Sequence, residues 1–292
     1  MLPPFRPSAP SLTGVRATQW SYADSEIARG LRGGQFRLVY QPKLHARRNL
    51  IDSAEALVRW DHPDQGMMLP DRFIEESEIA GTINQLTLWT FEQAIDDQRA
   101  MRMQGQSLRI FVNLSAQLLT EEATVAALCA LSRQAGVDIG VEVTERSVIA
   151  DPEIAFTNIR RLKEAGLCIA IDDYGSGLSS LTYLKQIEAD ELKIDKSFVT
   201  SLGTSHRDPL IVRSTIDLAH ALGMSVTAEG VETPAAHALL TVMGCDMMQG
   251  YLIGRPMRPD ALMEYLETFD PASISVPADG RALRDSKIWK RA

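Results

Sequence analysis

The chain has 292 residues, 45% of them apolar and 23% charged, which excludes a disordered or collagen-like polymer and suits an α/β barrel core of about 200–250 residues. Its 30 Lys and Arg stand against 38 Asp and Glu, a net charge of −8, which argues against general binding of a DNA or RNA duplex, where a basic excess is the rule. Cys129, Cys168 and Cys245 are too scattered for a disulfide framework or zinc knuckle, no apolar run approaches the roughly 18 residues of a membrane span, and MLPPFRPSAP lacks a signal core, so a reducing cytoplasm is expected.

Residues 1–22, rich in Pro, Ser and Ala and without a sustained period, read as a flexible arm or linker that would suit an upstream sensory or regulatory domain. From 23 to 269 no linker interrupts the pattern, so one domain is expected there. Its short apolar runs read as buried strands: FRLVY (36–40), the stretch ending SAEAL (53–57), LRIFVNL (108–114), IGVEV (139–143), LCIAID (167–172), ELKID (191–195), SVTAE (225–229) and MMQGYL (247–252). Amphipathic stretches fall between them. The spacing predicts helices over 83–104, over 121–136 with Gly136 closing the end, and over 151–166 with Asp151 as N-cap and Gly166 beyond the end. Residues 270–292 resume the loose composition and read as a flexible tail, with five basic residues among the last twelve. Eight strands interleaved with helices predict an α/β fold, a TIM-like (β/α)8 barrel. An open doubly wound sheet is the other candidate, but no G-x-G-x-x-G or Walker loop follows a strand.

The position of the acids is the most informative feature. Glu55 lies near the end of the second run, Asn113 ends the third, and Glu142 and Glu145 fall at and just past the fourth. Asp172 and Asp173 end the fifth, Lys193 and Asp195 the sixth, and Glu229 the seventh, with Glu232 beyond it. A parallel barrel gathers these ends at one mouth, where active sites are built. Eight carboxylates cannot share that mouth uncompensated, because like charges a few ångström apart repel by several kcal/mol. Lys193 and Arg59 offer too little positive charge, so divalent cations are expected. With oxygen ligands and no clustered His or Cys, hard ions such as Mg²⁺ or Mn²⁺ fit. The adjacent Asp172-Asp173 pair suits two ions, the arrangement that assists attack on a phosphodiester.

Glu55-Ala56-Leu57 is followed by DHPDQGMMLPDRFIEESE, VNLSAQL (112–118), VEVTE (141–145), IDDYGSGLSSL (171–181), ELKIDKSFV (191–199), TAEGVET (227–233) and GCDMMQGYLIGRP (244–256). This ordered set, covering about 36–267, resembles the EAL-domain cyclic di-GMP phosphodiesterases. The resemblance implies a barrel whose first strand runs antiparallel to the rest, and hydrolysis of cyclic di-GMP to linear pGpG with two Mg²⁺ or Mn²⁺ ions. Ca²⁺, larger and less demanding in geometry, is expected to occupy the all-oxygen site without proper water activation and so to inhibit. It implies that Glu55, Asn113, Glu142 and Asp172 hold one ion, that Asp172 and Asp173 hold the second, and that Glu229 holds a metal or activates water. Lys193 would contact the nucleophilic water, and Glu145 would position the loop 174–181. Gln41, Leu57, Arg59, Asp195 and Gln249 would lie on the substrate side, with Glu232 orienting neighbours. A homodimer is implied as well.

Departures from the family pattern are few. Leu178 stands where an aromatic is common, and Lys43, after Tyr-Gln-Pro, stands where an aliphatic residue is usual and reads as solvated. No expected ligand is lost, which favours an enzyme over a cyclic di-GMP receptor without turnover. An unrelated barrel abstracting protons with Lys and carboxylates would leave Asn113 and the aspartate pair unexplained.

Overall fold

The computed structural model describes residues 25–175 and 181–274. The arm over 1–22, positions 176–180 of the loop holding Leu178, and residues 275–292 of the basic tail lie outside the described residues. The chain forms two compact units, one of 38–57 with 90–274 and one of 25–37 with 58–89.

The strands are β1 (Phe36–His45), β2 (Leu50–His62), β3 (Gly66–Met68), β4 (Arg109–Leu114), β5 (Ile139–Thr144), β6 (Cys168–Tyr174), β7 (Glu191–Ile194), β8 (Ser225–Ala228) and β9 (Met247–Gln249). Their order is β1-β9-β8-β7-β6-β5-β4-β2-β3, and a β1–β2 pairing closes eight of them into a barrel. From β2 through β4 to β9 the barrel pairs are parallel, whereas β1 pairs antiparallel with β9, Lys43 opposite Gln249. This is the TIM-like barrel with an inverted first strand that the resemblance implied.

The predicted helices form where their ends are marked. Ile83–Met103 is one helix, and Glu122–Ala135 stops at Gly136, whose φ of 65° is the left-handed cap that glycine adopts without steric cost. Asp151 accepts from the Ile154 amide and, with Pro152 next, opens Pro152–Glu164. A 3-10 turn over Pro271–Ile274, with Ile274 buried, continues the chain past residue 269.

Within the larger unit, alternate strand residues fill the barrel. Gly140 on β5 leaves room for a ring there: a Cβ would lie 2.6 Å from Phe111. The smaller unit packs around aromatics. Phe36 stacks on Trp60 at 4.9 Å between ring centroids, and Phe73 meets both rings edge-on at 5.7 Å. β2 pairs there with β3 through Trp60, Asp61 and His62, a hairpin that no apolar run announces.

Candidate active site

The period of two along each strand carries Glu55, Asn113, Glu142, Asp172, Lys193 and Gln249 to the barrel's C-terminal mouth. Lys193, with no exposed surface, is the hub. Its ammonium lies 2.7 Å from Glu229 Oε1, 3.1 Å from Asp172 Oδ1 and 3.8 Å from Glu55 Oε2, and it also pairs with Glu142 Oε2. Four carboxylates therefore converge on one ammonium. Glu55 is fixed further: Asn113 Nδ2 donates to its Oε1 at 2.8 Å, and Gln249 Nε2 to its Oε2 at 2.7 Å. Gln249 Nε2 also reaches Gln41 Oε1 at 3.2 Å, and Gln41 Nε2 donates to the Gly254 carbonyl.

The electrostatics record an excess of acid. Burial, opposed by Lys193, pushes the Glu229 carboxyl up to about 7. Burial together with the neighbouring Glu142 also raises Glu55, and burial with Glu142 and Asp173 raises Asp172 against the pull of Lys193. Glu142 alone goes the other way: burial would raise it, but Lys193 and Lys43 hold it below the ordinary carboxylate value. For Lys193, burial is outweighed by its four acids, which hold it well above the usual ammonium value.

Asp172, Asp173 and Glu229 bring ligand oxygens within 4.8 Å of one another. This all-oxygen set, with more acid than its single central ammonium offsets, fits a hard divalent cation. Gln249 Oε1 is buried without a hydrogen-bond partner among the described residues, an uncommitted acceptor beside the same cluster.

The remaining expected residues have local roles and surroundings of their own. Asp195 caps the helix Lys196–Thr200, accepting from the Ser197 amide at 2.9 Å. Glu145 opens the helix Glu145–Ala150 and lines a small cavity with Val148, Ile171, Tyr174 and Tyr183. Glu232 is exposed after β8, and Leu57 is half-buried on β2. Arg59 belongs to the smaller unit, where its Nη1 donates to the Val58 carbonyl at 2.8 Å.

Lys43 corrects the sequence reading outright. It is not solvated: it has no exposed surface, and its ammonium donates to Glu142 Oε1 at 2.7 Å and Glu191 Oε1 at 3.1 Å. Burial would lower its pKa, but Glu142 and Glu191 outweigh that and raise it. Glu191, which sequence reasoning also missed, is buried and accepts from Thr227 Oγ1 at 2.6 Å.

A closed barrel with one inverted strand and an acid-rich, cation-ready mouth defines the class. The EAL domain family model matches residues 24–256, and the chain belongs to that family. It is 39% identical over 259 residues to "Cyclic di-GMP phosphodiesterase NbdA" of Pseudomonas aeruginosa, covering 87% of this chain and 33% of that protein. It is 32% identical to "Cyclic di-GMP phosphodiesterase RocR" of the same organism, covering 82% of this chain and 62% of that one. The chain thus spans a third to under two-thirds of these relatives' lengths. Among solved structures, a PaMucR phosphodiesterase in complex with c-di-GMP superposes with a TM-score of 0.76 at 35% identity, covering 81% of this chain and 98% of that one. No described helix is long and apolar enough to cross a membrane.

Proposed function

We propose that this chain is a metal-dependent phosphodiesterase that opens cyclic di-GMP to linear pGpG in the cytoplasm. The observation that carries the reading is the full set of Glu55, Asn113, Glu142, Asp172, Asp173 and Glu229 around Lys193 at the mouth of an EAL barrel. The names of NbdA and RocR support the substrate.

Two Mg²⁺ or Mn²⁺ ions, held by Glu55, Asn113, Glu142, Asp172, Asp173 and Glu229, would polarise phosphoryl oxygens and acidify an attacking water. The protein's own groups do the rest. Glu229, its carboxylate held deprotonated by a bound ion, would orient the attacking water by accepting a hydrogen bond from it. Lys193 orients the nucleophile and offsets charge developing on the phosphoryl group as the 3′-oxygen leaves. The hydrogen-bonded Gln41–Gln249 amide pair would help orient the substrate. Fixing the substrate this way favours the reaction because small misplacements of reacting atoms cost rate steeply.

The test is incubation with cyclic di-GMP and Mg²⁺, resolving pGpG from substrate by chromatography. Stoichiometric appearance of pGpG is expected. Cyclic di-GMP that binds but is recovered unchanged would identify a receptor instead.

A further inference from the structure

Beneath the acidic mouth lies a second charged layer that the phosphodiesterase reading does not use. Glu191 precedes Lys193 by two residues on β7, so it faces the barrel interior one layer deeper. There it meets Lys43 from β1 and Thr227 from β8, and the ring of Phe111 lies 3.8 Å from the Lys43 ammonium. The ring face offers the cation a further favourable contact. Removing an ammonium and a carboxylate from water costs several kcal/mol each, and apolar side chains would fill the same space without that cost. A buried Lys–Glu pair here is therefore poorly explained by stability alone.

Glu142 supplies the explanation. It is almost wholly buried, and its two oxygens are held by two ammonium groups from different strands: Oε1 by Lys43 on β1, Oε2 by Lys193 on β7. A carboxylate gripped at both oxygens cannot rotate about its terminal bond without breaking an ion pair. We propose that Lys43 is a positioning residue for the reaction: it ties Glu142 Oε1 from the core side, so that Oε2 is the one oxygen Glu142 presents to Lys193 and to a metal ion. Glu191, anchored by Thr227, is the counter-charge that offsets Lys43 at that depth. This rests on the reading of the site as a metal-dependent phosphodiesterase.

Two variants test it. Lys43→Met keeps the apolar stem of the side chain and removes its ammonium. Lys43→Met/Glu191→Gln removes both charges and keeps an acceptor for Thr227. Each is compared with wild type by melting temperature, by Mn²⁺ binding in an EPR titration, and by kcat and KM on cyclic di-GMP. Lys43→Met should lower the melting temperature and weaken both Mn²⁺ affinity and kcat by about 10–100-fold, the usual size of a lost ligand-orienting contact. KM should change by less than about twofold, because the substrate contacts remain. The double variant should recover the melting temperature but neither Mn²⁺ affinity nor kcat. Recovery of all three would overturn the inference, since Lys43 would then only balance Glu191. Should Lys43→Met fail to fold, the double variant decides alone by the same readouts. A wild type that binds Mn²⁺ without making pGpG defeats the phosphodiesterase reading, and the Mn²⁺ titration still decides the role of Lys43. A wild type that binds no Mn²⁺ overturns both.

Discussion

Asp172 and Asp173 are successive residues of one strand, yet both bring a carboxylate oxygen within 4.8 Å of Glu229. Neighbours in a regular strand point to opposite faces. Here the register against β7 slips between Ile171 and Tyr174, and Asp173 takes a left-handed φ of 57°. This bulge re-aims a side chain, and the Asp173 amide donates back to Asp172 Oδ1 at 2.9 Å. Asn shares the tolerance of Asp for left-handed backbone, whereas a β-carbon with no local hydrogen bond costs about 1–2 kcal/mol there. Asp173→Asn should therefore hold stability within about 0.5 kcal/mol while losing metal affinity. Asp173→Ala should lose both. Urea denaturation beside a Mn²⁺ titration separates the two effects. An Asn variant with wild-type Mn²⁺ affinity would remove Asp173 from the ligand set.

Turnover should require Mg²⁺ or Mn²⁺ and disappear in EDTA, with Ca²⁺ occupying the site unproductively because its larger, looser coordination does not hold the attacking water correctly. Glu55→Ala and Lys193→Ala should both abolish turnover by different routes. Loss of Glu55 takes away a ligand and should weaken Mn²⁺ binding. Loss of Lys193 leaves Glu55, Glu142, Asp172 and Glu229 without their shared cation, so Mn²⁺ should bind at least as tightly. The same loss should destabilise the metal-free protein by about 3–5 kcal/mol, as breaking buried ion pairs does. Calorimetry with and without Mn²⁺ reads both quantities. Near-normal kcat in Lys193→Ala would refute its assigned role.

The acids at the mouth were legible because each sits at the end of an apolar run, where a barrel collects side chains. β1 and β2 were read too short for the complementary reason. Gln41, Lys43 and His45 extend β1, and polar residues in a strand look like its end unless the interior they face is itself polar. Lys43 was misread because its partner Glu191 is 148 positions away and nothing local announces the pair. The bulge at Asp172-Asp173 was likewise invisible, since Asp is common both at turns and at strand ends. The inverted β1 came from the family resemblance, and no periodicity distinguishes a strand from its reverse.

Glu145 should act through the segment after β6. It opens a helix beside Ile171 and Tyr174, one residue from the aspartate pair, and it lines the same small cavity as Tyr183. Glu145→Ala should weaken Mn²⁺ affinity and kcat while Glu55, Asn113 and Glu142 keep their places. Crystal structures of both proteins, with metal titrations of each, are the check. Light scattering on the same samples tests the expected homodimer and whether the variant loosens it. An unchanged metal response would leave Glu145 as a helix-end acid.

Glu229 gives the metal-free protein a pH dependence whose direction is fixed. Its carboxyl titrates at about 7 in the folded chain against 4.5 for an ordinary Glu. Between those values the folded state holds a proton that the unfolded state has released. The stability this contributes is fully present below 4.5 and is lost as pH rises through about 7. In EDTA, wild type should therefore lose stability across this window relative to Glu229→Gln, whose amide imitates the protonated acid. Metal binding opposes the trend, because the ligand must be deprotonated and the ion favours that form. Saturating Mg²⁺ should flatten the wild-type profile, and the ion should bind more tightly, releasing less proton, as pH climbs past about 7. Melting temperatures of both proteins from pH 5 to 8 (roughly the span the shift covers), with and without Mg²⁺, make the comparison. Parallel profiles for wild type and Glu229→Gln in EDTA would show that Glu229 is ionised throughout, and that Lys193 offsets its burial completely.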